Sequence, residues 1–260
     1  MHELFLTAAL KDGDIEKACA VLQGLCWMSA RHNVYHLGFY AGPPKARGLP
    51  NVKSLPPNRY SAQWHELSRE LTRSSYVFHL VHEVLKDRDF GTGNAMIWDN
   101  MPGTLRWAGF PDPEREKDQV ITYRKKIDIP DQKGLLTIMA GNGQGYKTEL
   151  IQETYSFIRD NMEFIFSRYY HLPPSPEQSG PSTSLPAWSD LKPVDPARKW
   201  TFSVKRDVLE DGQPEKMKQA SKGIAEVRAE LDSMFSFKAI DRRIFDTRIA
   251  APQVMPGQQP

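Results

Sequence analysis

Four stretches of this chain alternate apolar and polar residues with a period of two. In 76–85, Tyr76, Phe78, Leu80 and Val84 share one face with His82. In 119–129, Ile121, Tyr123, Ile127 and Ile129 alternate with Thr122, Arg124, Lys126 and Asp128. In 162–172, Met162, Phe164, Phe166, Tyr170 and Leu172 share a face that Arg168 interrupts. In 200–208, Trp200, Phe202, Val204 and Val208 face one way and Thr201, Ser203, Lys205 and Asp207 the other. Successive side chains of a strand point to opposite sides, so this period marks strands with one apolar face. Residues 34–40 (VYHLGFY) add a fifth strand, rich in aromatic and β-branched types. Residues 2–9, 104–110 and 147–158 are weaker candidates, and Asp160-Asn161 supplies a tight hairpin before 162–172. Strands joined by such short connections are mostly antiparallel, and their edges must be hidden. Closing the ring removes the edges, so the fold class is mainly β (α+β), an eight-stranded antiparallel closed barrel with flanking helices. Eight strands leave an interior filled by side chains or holding something small. Tyr76, Phe78, Leu80, Trp200, Phe202 and Val204 are expected in one core.

Helices are few. Ile15, Ala18, Leu22 and Leu25 form a stripe in 14–28, after Asp12-Gly13. Trp64, Leu67 and Leu71 share a face of 61–73, with Ser61 as cap. Residues 131–140 read as a short apolar helix stopped by Gly141. In 214–235, Met217, Ala220, Ile224, Val227, Leu231 and Met234 recur at spacings of three and four, and Pro214 suits the first turn. The first and last of these helices are expected to cover the outside of the barrel.

Two proline-rich stretches interrupt the pattern. Residues 41–60 hold Pro43, Pro44, Pro50, Pro56 and Pro57, and 173–196 hold seven prolines with Ser and Gly. Few apolar residues and many prolines predict disordered inserts. The chain therefore reads as one domain over 1–251 with inserts at about 41–60 and 173–196, and a disordered tail over 252–260. Basic and acidic residues number 34 and 32, a net charge of +2. That balance argues against wrapping nucleic acid or binding membranes through a one-signed run, and no direct nucleic-acid contact is expected. No apolar run approaches the roughly 18 residues of a membrane helix. Met1–Leu10, with Glu3 and no basic start, is not expected to be a signal peptide. Cys19 and Cys26 lie seven apart in a helix, a rise of about 10 Å. That exceeds disulfide reach, so both are read as reduced, buried small hydrophobes, which fits cytosol or nucleus.

Chemical motifs are sparse. GNGQGYKT (141–148) departs from a phosphate loop by Tyr146 in place of the last glycine, and it follows a helix and precedes a strand. It reads as a mobile turn. His79 and His82 fall on opposite faces of one strand, and neither cysteine has a C-x-x-C partner, so no metal site is expected. No G-x-S-x-G elbow occurs. A closed antiparallel barrel with inward carboxylates and bases is the layout of triphosphate-tunnel enzymes, whose paired Glu-x-Glu carboxylates hold a divalent cation. This chain has no E-x-E. Glu149 and Glu153 share a strand face but stand about 13 Å apart, and Glu3 is alone on its strand. Arg124, Lys126, Arg168 and Lys205 read as a solvated face, with a basic surface as the alternative. No catalytic residue, cofactor or metal is therefore assigned. A metal-dependent tunnel phosphohydrolase and an unrelated small-ligand barrel are the alternatives, distinguished by whether acidic side chains converge inside.

Several segments resemble, in order and spacing, the family of Mediator subunit 18, a head-module protein, in its fungal form. They are HELFLTAAL with IEKACAVLQGLC, VYHLGFYAG (34–42), TLRWAGFPDPE (104–114), VITYRKKIDI, MEFIFSRYYHL and FKAIDRRI. The resemblance implies a triphosphate-tunnel-like eight-stranded barrel and a nuclear role in regulating RNA polymerase II transcription, without catalysis. It also implies pairing with Mediator subunit 20 and binding of the C-terminal helix of Mediator subunit 8, among other head-module subunits, with only indirect contact to the polymerase. The partner-binding candidates come from FSFKAIDRRIFDTRI after the last helix. A helical stretch there would present Ile240 and Ile244 together, with Phe237 one turn earlier and Phe245 beside them. The competing reading packs this segment back on the barrel.

Overall fold

Every ladder between strands is antiparallel, and the ladders run in a ring. The computed structural model describes residues 1–54, 59–113, 120–173, 180–209 and 213–250. Its strands are β1 (His2–Leu10), β2 (Arg31–Ala41), β3 (Val77–Val84), β4 (Gly103–Ala108), β5 (Thr122–Gln132), β6 (Gly145–Arg159), β7 (Met162–His171), β8 (Lys192–Pro193) and β9 (Trp200–Val208). They pair in the order β6-β2-β3-β4-β5-β1-β9-β7, and β7 pairs back onto β6. The expected closed barrel of eight strands is what forms. The two-residue β8 is an edge on β7.

Register decides which side chains share the inner wall. Glu3 lies opposite Arg124 and Asp207, Lys205 opposite Phe5 and Glu163, and Arg106 opposite Asp128 and His79. All of these face inward. The apolar positions of the same strands point out, and helices and loops cover them. Leu4, Leu6, Phe164, Phe166, Trp200, Phe202 and Val204 pack under α1 (Ile15–Cys26) and α5 (Pro214–Leu231). Phe78, Leu80, Leu105, Trp107, Ile127 and Ile129 pack under α2 (Ser61–Arg73) and α4 (Leu135–Gly141). Val34, Val84, Ile151 and Tyr170 pack under loop residues Trp98, Leu185 and Leu191. The single core expected for Tyr76, Phe78, Leu80, Trp200, Phe202 and Val204 is thus two. A barrel with its apolar face outward needs a separate cover on each arc of wall.

The helices keep their expected stripes but shift their ends. α5 stops at Leu231 rather than near 235, and α4 starts only at Leu135. Gly134, at φ 69, turns the chain into α4 through the left-handed region, which a residue with a side chain adopts at a cost. A further one-turn helix, α3 (Lys86–Asp89), carries no apolar stripe and was not expected. α1 ends at Cys26, and Trp27 just past it takes the left-handed conformation, at φ 52.

The proline-rich stretches are a correction. Within 41–60, Leu49 and Val52 are buried, and the Asn51 N–H donates to Asn142 Oδ1 at 3.0 Å. Within 173–196, Leu185 and Leu191 are buried and Trp98 Nε1 donates to the Ser182 carbonyl at 2.8 Å. A few well-spaced apolar residues reach hollows on the barrel's outer face, and proline has less backbone entropy to lose on ordering. The same contacts pin GNGQGYKT, where Asn142 and Gln144 are buried, so it is not a mobile turn. Residues 55–58, 174–179 and the 252–260 tail lie outside the described residues.

Phe202 is fully buried, stacks on Phe166 at 4.7 Å and meets the tilted ring of Phe235 at 4.3 Å. Truncating such a side chain leaves a cavity, and Phe202→Ala should cost about 3–5 kcal/mol. Chemical denaturation measures this, and an unchanged midpoint would contradict the placement.

Candidate interaction site

Inward-facing positions of β1, β4, β5 and β9 build a connected ionic network. Arg124 Nε donates to Glu3 at 2.7 Å, and Lys126 Nζ lies 3.4 Å from the same carboxylate. Lys126 also reaches Asp128 and Asp207, each at 3.3 Å. Arg106 grips Asp128 with two nitrogens, at 3.0 and 3.1 Å. Glu3 is 1% exposed. Burial alone would raise its pKa, but Lys205, Arg124 and Lys126 hold it well below the usual carboxylate range. Burial opposes the charge of Lys126, and Glu3 and Asp128 outweigh it and raise its pKa.

Glu3, Asp128, Glu163 and Asp207 face inward, so acidic side chains do converge inside. Glu3, Asp128 and Asp207 already neutralise Arg106, Arg124 and Lys126. Among the described residues no three His, Cys, Asp or Glu side chains are grouped to hold a metal ion. Glu149 and Glu153 lie on the outer face. Glu149 accepts from the Ser182 N–H at 3.0 Å and meets His36 Nε2 at 2.7 Å, which clasps the 180–191 segment to the wall. Glu153 accepts from Tyr170 at 2.7 Å and Arg168 at 3.0 Å. The solvated-face reading is corrected accordingly: Arg124, Lys126 and Lys205 line the interior, while Arg168 stacks over Trp200 outside. Alternation separates two faces, and only ring closure says which is inside. Cys19 and Cys26 are both free, and burial pushes the Cys19 thiol up to about 11, so it is held as the thiol rather than the thiolate at neutral pH.

The C-terminal segment divides the four partner-binding candidates. It is extended rather than helical, apart from a 3-10 turn at Arg242–Phe245. Phe237 is buried against Phe202, with ring centres 5.8 Å apart. Ile240 is half-buried. Ile244 is 68% exposed. Phe245 turns inward and meets the Phe5 ring edge-on at 5.4 Å, with Arg124 over both rings. The segment spans one mouth of the barrel. The Lys238 N–H reaches the Thr7 carbonyl at 3.4 Å, Arg242 reaches the Pro111 carbonyl at 3.1 Å, and the Ile249 N–H reaches the Ser75 carbonyl at 2.8 Å. Arg242 and Arg248 both lie over Phe110, at 4.5 and 4.1 Å. Phe5, Phe110, Arg242 and Arg248 were not singled out from sequence. The alternation of Glu3, Phe5 and Thr7 against Leu4, Leu6 and Ala8 is the one signal that could have placed Phe5 inside.

The geometry is that of a closed eight-stranded antiparallel barrel whose inward bases pair with inward carboxylates and whose one mouth is crossed by the 237–249 segment. The chain belongs to the Med18 protein family, whose model matches residues 2–248. It is similar to "Mediator of RNA polymerase II transcription subunit 18" of Neosartorya fischeri, at 24% identity over 95% of this chain and 99% of that one. The protein of the same name from Coccidioides immitis is 23% identical over 96% of this chain and 100% of that one. Among solved structures, a chain of the Schizosaccharomyces pombe Mediator head module superposes with a TM-score of 0.65 at 13% identity. It covers 92% of this chain and 99% of that one, a likeness of fold.

Two histidines of β3, His82 buried and His79 half-buried, shape the pH response. Burial, with Arg106 and Arg124 nearby, lowers His79 to about 4. Burial and the neighbouring His36 lower His82 to about 4, and neither of its ring nitrogens has a hydrogen-bond partner. Unfolded histidines titrate near 6.5. On acidification the unfolded chain takes up protons first, so stability is full above about pH 6.5 and lost progressively towards about 4. Denaturation midpoints measured across that window should fall, and less steeply in His82→Phe. A flat profile in the parent protein would contradict the lowered pKa of both rings.

Proposed function

We infer that this protein is a non-catalytic subunit of the Mediator complex, a nuclear interaction scaffold in regulation of RNA polymerase II transcription. The observation that carries this reading is the family match over residues 2–248. The relatives' names and the fold likeness to a head-module chain support association with other head-module subunits. The partners we propose are the homologue of Mediator subunit 20, as a sister barrel, and the C-terminal helix of the subunit 8 homologue. No direct nucleic-acid contact is part of this reading, and contact with the polymerase is indirect.

The inward carboxylates are what a tunnel phosphohydrolase reading would rest on. They are weak support for it, because a polyphosphate would have to displace Glu3, Asp128 and Asp207 from the bases they already bind.

For the partner surface, we propose the strap over residues 237–245. Ile244 is the outward anchor, Ile240 flanks it, and Phe237 and Phe245 hold the backbone in place from below. Large apolar anchors carry much of the affinity of such interfaces. Ile244→Asp should leave circular dichroism and thermal melting unchanged and lower co-purification with the subunit 20 and subunit 8 homologues by roughly tenfold, the scale of one anchor. Ile244→Asp with Phe245→Asp should also loosen the strap. Undiminished binding by a folded Ile244→Asp would remove this segment from the interface.

A further inference from the structure

Among the described residues no segment straps the opposite mouth of the barrel. It is bounded by the β6–β7 hairpin at Asp160 and Asn161, the end of β9, and the C-terminal end of α1. Trp27, just past α1, is 93% exposed. Met28 beside it is fixed to the hairpin, since its Sδ accepts the Ile158 N–H at 3.1 Å. Ile158 is 41% exposed, and Leu209, just past β9, is 79% exposed. Single apolar residues in water are common, but three at one barrel end, one of them tryptophan, are the composition of an interface.

A recess of about 270 Å³ opens at the same end, lined by Ile158, Glu163, Asp207, Lys126 and Lys205 among others. Of the charged residues that line it, the exposed ones, Glu163 and Asp207, are acidic, and Lys205 is half-buried. Asp160, Glu163 and Asp207 are exposed at the rim. Glu163 has no ion pair among the described residues. Arg159, the base nearest the hairpin tip, is already neutralised by Glu230 at 2.7 Å. Lys126 is engaged by Glu3, Asp128 and Asp207. Lys205 lies inside the wall on β9, opposite Phe5 of β1 and Glu163 of β7.

We propose that this mouth docks a basic amphipathic segment of another protein. Its apolar side chains pack on Trp27, Ile158 and Leu209, and a lysine or arginine reaches Glu163 and Asp207. The sign of the rim decides between occupants. A nucleic acid would bring phosphates against carboxylates, and a second copy would set two acidic rims face to face. This surface is at the other end of the barrel from the strap and does not rest on it.

The full-length chain is titrated with two labelled synthetic peptides, a lysine–leucine amphipathic helix and its glutamate–leucine counterpart, and read by fluorescence anisotropy. Only the lysine peptide should bind. Its affinity should drop at least about tenfold in Glu163→Lys with Asp207→Lys, and again in Trp27→Ala, the scale of a single hot-spot contact. Ile244→Asp should leave it unchanged. Binding of both peptides alike, binding of neither, or indifference to both sets of variants would overturn the proposal. A photo-crosslinking amino acid in place of Trp27, in the assembled complex, gives an independent reading. The crosslinked peptide, once sequenced, should be basic and come from a different protein. Crosslinks confined to an acidic segment, to nucleic acid or to a second copy would overturn it equally.

Discussion

Glu3 is the most deeply buried carboxylate of the ionic network that lines this barrel. It sits on the inner wall of β1, where it faces Arg124 on one side and Lys126 close by, and it is almost fully buried. Taking charges out of water is costly, and attraction offsets that cost only where the pairs are close and well bonded. The inner wall meets that condition by chaining its charges. Arg124 meets Glu3, Glu3 meets Lys126, Lys126 meets Asp128 and Asp207, and Asp128 meets Arg106. Removing one link leaves its neighbours unpaired inside the wall. The network therefore runs along one arc of the inner wall, joining the neighbouring strands β4, β5, β1 and β9 through side chains as well as through their backbone ladders.

The outer architecture follows from this interior. Strands that turn their polar face inward must turn their apolar face to the solvent side. Helices α1 and α5 cover one arc and α2 and α4 another. The third arc has no long helix, and the proline-rich 180–191 segment covers it with Leu185, Trp188 and Leu191. The buried clasp of Glu149 with Ser182 and His36, and the Trp98 bond to Ser182, hold that cover in place. The chain after α5 is used the same way: Phe235 and Phe237 complete the first core before the strap crosses the mouth.

Much of this was legible in the sequence. Four of the eight barrel strands with their apolar faces, and the stripes of α1, α2 and α5, followed from periodicity; residues 34–40 followed from composition, and 2–9, 104–110 and 147–158 were weaker candidates. What was not legible shares one physical cause, because alternation is a local property and closure is not. Local pattern could not say that Lys126 and Lys205 face a lumen and Arg168 does not. Nor could it pair Glu149, on β6, with Ser182, 33 residues later in a proline-rich stretch. Composition misread 41–54 and 180–196 because it counts apolar residues rather than asking whether each has a hollow to fill. The candidate site fared similarly. Helical spacing grouped Phe237, Ile240, Ile244 and Phe245, whereas the extended backbone sends Phe237 into the core, Phe245 toward the lumen and Ile244 to solvent.

A lumen that neutralises its own charges leaves the protein's surfaces to carry its function, and that is the central claim for this member of the Med18 family. Phosphate release from ATP and from triphosphate-ended RNA, with Mg²⁺ or Mn²⁺, tests it most directly. The purified protein should release none above the background of buffer and metal. Turnover that survives repurification and disappears in Glu3→Gln would contradict the account, because it would mean that the wall carboxylates serve a substrate rather than one another.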